Sequence, residues 1–186
     1  MTDPRPRCTW ADPLTAPPDY VAYHDQEWGR PVHGTAALFE RMSLEAFQSG
    51  LSWLTILRKR PAFRAAFAGF DPVAVAAFGA DDVARLLADA GIVRNRRKID
   101  ATITNARRIA DAVPEGLDAL LWSFAPAHHR RPTGHGDVPA VTPESTAMAR
   151  ELKRRGFAHV GPTTSYALMQ ATGMVDDHLQ RCFVRV

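Results

Sequence analysis

The sequence predicts an all-α fold. Apolar residues recur at helical spacing along most of the chain, and the alternating pattern of strands is sparse. The periodic stretches break at Gly, Pro and Asp, residues that stop or cap helices. With 186 residues, 46% of them hydrophobic, the chain can build one domain, read here as a single unit of two small lobes around a shared site. A charged fraction of 23% excludes wholesale disorder, and two cysteines exclude a disulfide-dense secreted scaffold. Met1–Trp10 holds no apolar signal region, and no apolar run approaches the roughly 20 residues of a membrane span. The expectation is a cytoplasmic protein without a membrane partner.

Taken in order, Leu38, Phe39, Met42, Leu44 and Phe47 share a helical face that leads into the break Gln48-Ser49-Gly50. Trp53–Leu57 opens a second helix that Pro61 ends or restarts, and 62–70 reads as a short helix stopped by Asp71-Pro72. Asp71 and Asp81 suit helix N-caps, and Gly91 stops the helix that begins near Asp81. A long helix spans 94–112, with Ile99, Ile103, Ala106 and Ile109 on one face, and a short one spans 117–124. Residues 125–143 lack period and read as a loop, from which no function is drawn. Thr142-Pro143 starts a helix that Gly156 ends, and 163–172 and 175–182 read as the last two helices.

The net charge of +3 is unevenly placed. The basic excess lies in two acid-free knots, Arg58-Lys59-Arg60 with Arg64, and Arg94 with Arg96-Arg97-Lys98. Such knots suit a polyanion, although solvated helix faces give the same pattern. The second knot comes after the tight turn at Gly91, so Leu87–Ile99 reads as helix, turn, helix. That arrangement resembles the helix-hairpin-helix element that holds a DNA backbone through amides at a helix start, and a plain helical corner fits the same residues.

Cys8 and Cys182 lie near opposite ends. His178 and Cys182, four apart, share one face of a helix, and with Cys8 and His24 they offer a Cys2His2 set with the tetrahedral preference of a structural zinc. Two buried thiols and two ordinary histidines are the alternative. His33, His128, His129, His135 and His159 read as surface or loop residues. Glu45 lies among apolar neighbours, where an ionised carboxylate needs a cation or donors. With Trp10, Tyr20, Tyr23 and Trp53 as walls, the composition suits a flat cationic ligand, and Gly50-Leu51 supplies a small apolar tip of the kind that wedges into a base stack. An exposed Glu, core tryptophans and a buried leucine remain the plain alternative.

Together these residues are specific. Arg7-Cys8-Thr9-Trp10, Tyr23-His24-Asp25-Gln26-Glu27-Trp28-Gly29, Leu44-Glu45 with Gly50-Leu51-Ser52-Trp53, Asp89-Ala90-Gly91-Ile92 with Lys98-Ile99, Trp122-Ser123-Phe124, Lys153-Arg154-Arg155-Gly156-Phe157, Val160-Gly161, Met169-Gln170-Ala171 and Asp177-His178 occur in order. The chain thereby resembles the DNA-3-methyladenine glycosylase I family, bacterial base-excision repair enzymes, from about Arg7 to Cys182. The resemblance implies a two-lobed helix-hairpin-helix glycosylase fold. It also implies a structural zinc that joins the terminal segments through Cys8, His24, His178 and Cys182. Glu45 would be the base-recognition and catalytic glutamate; Trp10, Tyr20, Tyr23 and Trp53 the pocket aromatics; Gly50-Leu51 the intercalating loop. Gly91, Arg94, Arg97 and Lys98 would meet DNA phosphates. The stretch between Trp10 and Tyr20 is a few residues longer than the family pattern.

The implied activity is monofunctional hydrolysis of the N-glycosidic bond of 3-methyladenine in alkylated duplex DNA, by a monomer that releases the free base. The family resembles its wider superfamily without the latter's water-activating aspartate, and Asp111 and Asp118 read as surface residues. A zinc-stapled DNA-binding module and a glycosylase for another alkylated base are the alternatives.

Overall fold

The computed structural model describes residues 5–186. Among them lie nine α-helices and three short 3₁₀ turns, with no strand. The helices are α1 (Pro18–Gln26), α2 (Thr35–Gln48), α3 (Trp53–Ala66), α4 (Pro72–Ala76), α5 (Ala80–Ala88), α6 (Arg96–Ala112), α7 (Leu117–Trp122), α8 (Pro143–Arg154) and α9 (Pro162–Ala171). The 3₁₀ turns are Thr9–Ala11, Ala68–Phe70 and His135–Asp137. Local chemistry sets several starts. Ser52, Asp71, Asn95 and Thr142 each accept an amide of their helix's first turn, and proline opens α1, α4, α8 and α9, where its missing N–H costs nothing.

Helix α2 is the centre. It packs on α3, α4, α6, α7 and α9, and Leu38, Phe39, Leu44 and Phe47 are fully buried along it. Phenylalanines from α2, α3 and the 3₁₀ turn after α3 stack beside it. Phe47 lies 4.6 Å from Phe63 and Phe67 lies 5.5 Å from Phe70, centroid to centroid. One apolar cluster runs from Tyr23 to Val175. A second, of Cys8, Leu179, Cys182 and Val184, joins the two terminal segments. No helix among the described residues is long and apolar enough to cross a membrane.

Four expectations are corrected. Pro61 sits inside a continuous α3, because Trp53, Ile56, Leu57, Phe63 and Ala66 keep one buried face running through it and outweigh the lost backbone bond. The expected helix over 62–70 is therefore the end of α3 plus a 3₁₀ turn. Helix α6 begins at Arg96 rather than Arg94, since Asn95 caps it by accepting the Lys98 amide at 3.2 Å. Residues 175–182 form turns, not a helix. The Asp176 carboxylate takes the His178 amide at 3.1 Å, a local bond that competes with helix formation.

Phe67, fully buried among Phe47, Phe63, Phe70 and Phe78, is the test of this core. Phe67→Ala is expected to lower unfolding free energy by about 3–5 kcal/mol, measured by urea titration.

Candidate active site and metal cluster

A cavity of about 340 Å³ opens beside α2, lined by Trp10, Tyr20, Tyr23, Trp28, Glu45, Gln48, Trp53, His135, Ala167 and Gln170. The lining comes from chain segments far apart in sequence. Trp10 arrives on the Thr9–Ala11 turn, Tyr20 and Tyr23 on α1, Glu45 and Gln48 on α2, Trp53 at the start of α3, and Gln170 on α9. The aromatic rings form a continuous wall. Trp10 lies 4.9 Å from Tyr20 and 5.2 Å from Trp28, and Tyr23 lies 5.4 Å from Trp53.

Glu45 is 6% exposed and receives no hydrogen bond from any described residue. Burial pushes its carboxyl up to about 8, with the Arg41 charge one turn earlier pulling the other way. The phenols of Tyr20 and Tyr23 are raised by burial and by the Glu45 charge. Trp53 Nε1 is buried without a partner. An unpaired acid and an unpaired donor on one aromatic cavity suit a flat ligand that carries both positive charge and polar edges.

Behind the wall lies a cluster of metal-ligating residue types. The donor atoms of Cys8, His24 and Cys182 all lie within 4.8 Å of one another and could hold a metal ion. Cys182 Sγ is 3.6 Å from His24 Nε2, and Cys8 Sγ accepts the Leu179 amide at 3.3 Å. The Cys8 hydrogen bond pulls the Cys182 thiol down, while that same bond and burial hold the proton on Cys8. The His178 ring is 5.0 Å from that of His24, and its Nε2 is buried with no hydrogen-bond partner. Both imidazoles have Nδ1 on a carboxylate: His24 on Asp25 at 2.7 Å, His178 on Asp176 at 2.8 Å. Arg7 grips Asp25 at 2.8 Å and Arg131 lies 3.4 Å from Asp176. Carboxylates behind both rings fix the tautomer that leaves Nε2 for a metal.

The wedge residues lie at the mouth of the loop between α2 and α3. Gly50 has φ +80°, and Leu51 is 43% exposed. At the corner between α5 and α6, a Cβ on Gly91 would meet Ala62 Cβ at 3.0 Å, so the glycine permits close packing on α3. Arg94 and Arg97 are exposed and make no bond to a described residue. Lys98 is different. Its side chain is 7% exposed and its ammonium donates to Phe47 O and Ser49 O, so the expected phosphate contact is corrected to an internal tie. The first basic knot is paired within the chain, though Arg58 and Arg64 stay half-exposed. Arg58 pairs with Asp19, Arg60 with Glu27 and Arg64 with Glu40, and Lys59 donates to Ala90 O and Gly91 O.

Two loop histidines also carry more than the sequence suggested. His135 lines the cavity, and His129 Nε2 binds the buried Asp177 at 2.9 Å. Trp28, Gln48, Ala167 and Gln170 are lining residues that the sequence did not single out. Trp28 and Gln170 lie inside the ordered family motifs, the one signal that points to them. Neither Asp111 nor Asp118 lines the cavity, and Asp118 accepts from His33 and the Gly34 amide.

A family model for methyladenine glycosylases matches residues 10–185. The chain belongs to the methyladenine glycosylase family. It is 45% identical over 184 residues to Escherichia coli (strain K12) DNA-3-methyladenine glycosylase 1, covering 95% of both chains. It is 38% identical over 183 residues to the DNA-3-methyladenine glycosylase of Haemophilus influenzae (strain ATCC 51907 / DSM 11121 / KW20 / Rd), covering 95% of this chain and 96% of that one. A crystal structure of a 3-methyladenine DNA glycosylase I superposes with TM-score 0.91 at 42% identity, over 97% of this chain and 100% of the other. A Staphylococcus aureus structure described as the basis of 3-methyladenine recognition gives TM-score 0.86 at 34% identity, over 91% and 92% of the two chains.

Gly29 is the glycine that the cluster constrains most. Its φ is +76°, and a Cβ there would come within 2.7 Å of His178 Cε1. Gly29→Ala is expected to weaken divalent-metal retention about tenfold or more, in the range set by disturbed ligand orientation, measured by competition with a chromophoric chelator.

Proposed function

We propose that this chain is a DNA glycosylase that extrudes 3-methyladenine from alkylated duplex DNA and hydrolyses its N-glycosidic bond. The observation that carries this reading is the donor-free Glu45 carboxyl inside an aromatic cavity. Methylation at N3 gives adenine a positive charge and weakens its bond to the sugar. Burial makes Glu45 neutral in the empty cavity, and an incoming cation favours its ionised form. Glu45 then accepts hydrogen bonds from the adenine edge and stabilises its charge, while Trp10, Tyr20, Tyr23 and Trp53 stack on the base or enclose it. Because the base departs neutral, the step needs no strong acid. Water attacks a sugar of oxocarbenium character.

Extrusion costs a few kcal/mol of unstacking. Leu51, on the Gly50 turn, fills the vacated stack, and the first amides of α6 with Arg94 and Arg97 take backbone phosphates. No lysine lines the cavity, which fits hydrolysis without a Schiff base.

The donor set Cys8, His24, His178 and Cys182 fits zinc, whose preference is four sulfur and nitrogen ligands in a tetrahedron. The orphaned His178 Nε2 supports it as the fourth ligand. With no open position the ion supplies structure and no chemistry to the reaction.

Two measurements test this. The purified protein is expected to release 3-methyladenine from methylated duplex DNA, with freed bases separated by chromatography. A folded, zinc-loaded sample that bound DNA and released nothing would favour a binding module, and release of other methylated bases alone would overturn the substrate. Second, kcat/KM is expected to rise with pH and level off above about 8, since the free enzyme must ionise Glu45. Glu45→Gln should lose that limb and about 10–100-fold in rate, the worth of a hydrogen bond to a charged group.

A further inference from the structure

Lys98 is a buried cation without an acidic partner. It stands in the first turn of α6, two residues after the first basic residue of that helix, and points its ammonium at the end of α2. There it donates to Phe47 O at 2.8 Å and to Ser49 O at 2.6 Å. The last carbonyls of a helix have no amide to accept from, and they carry the negative end of its dipole. A lysine that caps them satisfies two acceptors at once and finds partial compensation for its own burial, which lowers its pKa. The bonds link residues 51 and 49 positions apart in sequence.

The wedge begins one residue after Ser49. Gly50 turns the chain at φ +80° and Leu51 emerges, with its amide on Gln48 O at 2.6 Å. Helix α3 then begins at Trp53, and from α3 Lys59 reaches back to Ala90 O at 2.9 Å and Gly91 O at 3.1 Å in the turn before α6. The α5–α6 corner is therefore tied to both helices that flank the wedge. Glu45 sits one turn before Ser49 on the tied helix.

We propose that Lys98 is a positioning residue: it holds the Gly50-Leu51 wedge in register with the α5–α6 corner, so that docking of the corner on the DNA backbone and insertion of Leu51 into the stack occur as one rigid movement. The proposal deepens the glycosylase reading and rests on it. It gives the buried lysine a role in extrusion rather than in phosphate contact or chemistry.

The test is a double-mutant cycle with Leu51. Lys98→Met keeps the aliphatic stem and removes the donor. Single-turnover release of 3-methyladenine from methylated duplex is expected to fall at least tenfold, while binding of free 3-methyladenine, read by tryptophan fluorescence, changes less than twofold. In a Leu51→Ala background the same substitution should cost less than threefold, because the wedge it positions is gone. Losses that multiply independently of Leu51, or free-base binding that falls in step with release, would overturn the proposal and leave Lys98 a fold-holding residue. Should Lys98→Met fail to fold, Lys59→Met is carried through the same cycle with the same expected split, and independence from Leu51 there overturns it equally. Failure of the parent reading is distinct, since the unaltered protein would then release no 3-methyladenine at all.

Discussion

Holding the Glu45 carboxyl inside an aromatic wall with no donor costs free energy, and the Arg41 charge one turn earlier offsets it only in part. That constraint shapes the molecule. Glu45 is held at 6% exposure because α2 is buried along most of its length and takes contacts from five other helices. The cavity it faces is closed by residues of α1, α3, α9 and three turns. A second carboxylate stands near Tyr23. Glu27, which feels both Tyr23 and the same Arg41, is clasped by Arg60 and Arg41 and held down to about 2.

Charge placement obeys the same arrangement. The acidic excess of residues 1–50 and the first basic knot answer one another across the α1–α3 and α2–α3 contacts, through Asp19 with Arg58, Glu27 with Arg60 and Glu40 with Arg64. The pairs are part of how α3 is set against the cavity wall that begins at Trp53. In the second knot Arg94 and Arg97 stand exposed at the start of α6, without partners among the described residues. A charge count along the chain cannot separate these two uses, since both present as basic runs without nearby acids.

Much of the helical plan was legible. Capping residues and apolar period place α2, α4, α6, α7, α8 and α9 to within a few residues, because those signals are local. Pro61 and the 175–182 turns were misread for different reasons: a shared buried face carried α3 through its proline, while Asp176 accepted the His178 amide two residues on and Asp177 accepted Tyr166 and Gln170 from α9 instead of continuing a helix. The site's chemistry-bearing residues were legible as types in ordered motifs. Burial was not. Lys98 and Arg97 are adjacent basic residues in one knot, and only their phase on α6 sends one into the protein and the other to solvent. His135 left no trace at all, since it stands on a 3₁₀ turn in a stretch with no period.

The Cys/His cluster and the cavity are two faces of one wall. Trp10 packs 5.0 Å from the His24 ring and also lines the cavity; Trp28 packs 4.7 Å from the His178 ring and lines it too. Both aromatic residues sit on short turns that no long helix supports, and the terminal segments that carry Cys8 and Cys182 are the parts of a fold most prone to fray. The Cys8, His24 and Cys182 donors, with the His178 ring beside them, therefore stand one side chain away from the cavity. The two histidine rings back the Trp10 and Trp28 rings of the cavity wall. The wall thus has two sides of different chemistry: sulfur and imidazole donors behind Trp10 and Trp28, and in front of them a cavity that holds the Glu45 carboxyl without a hydrogen-bond donor.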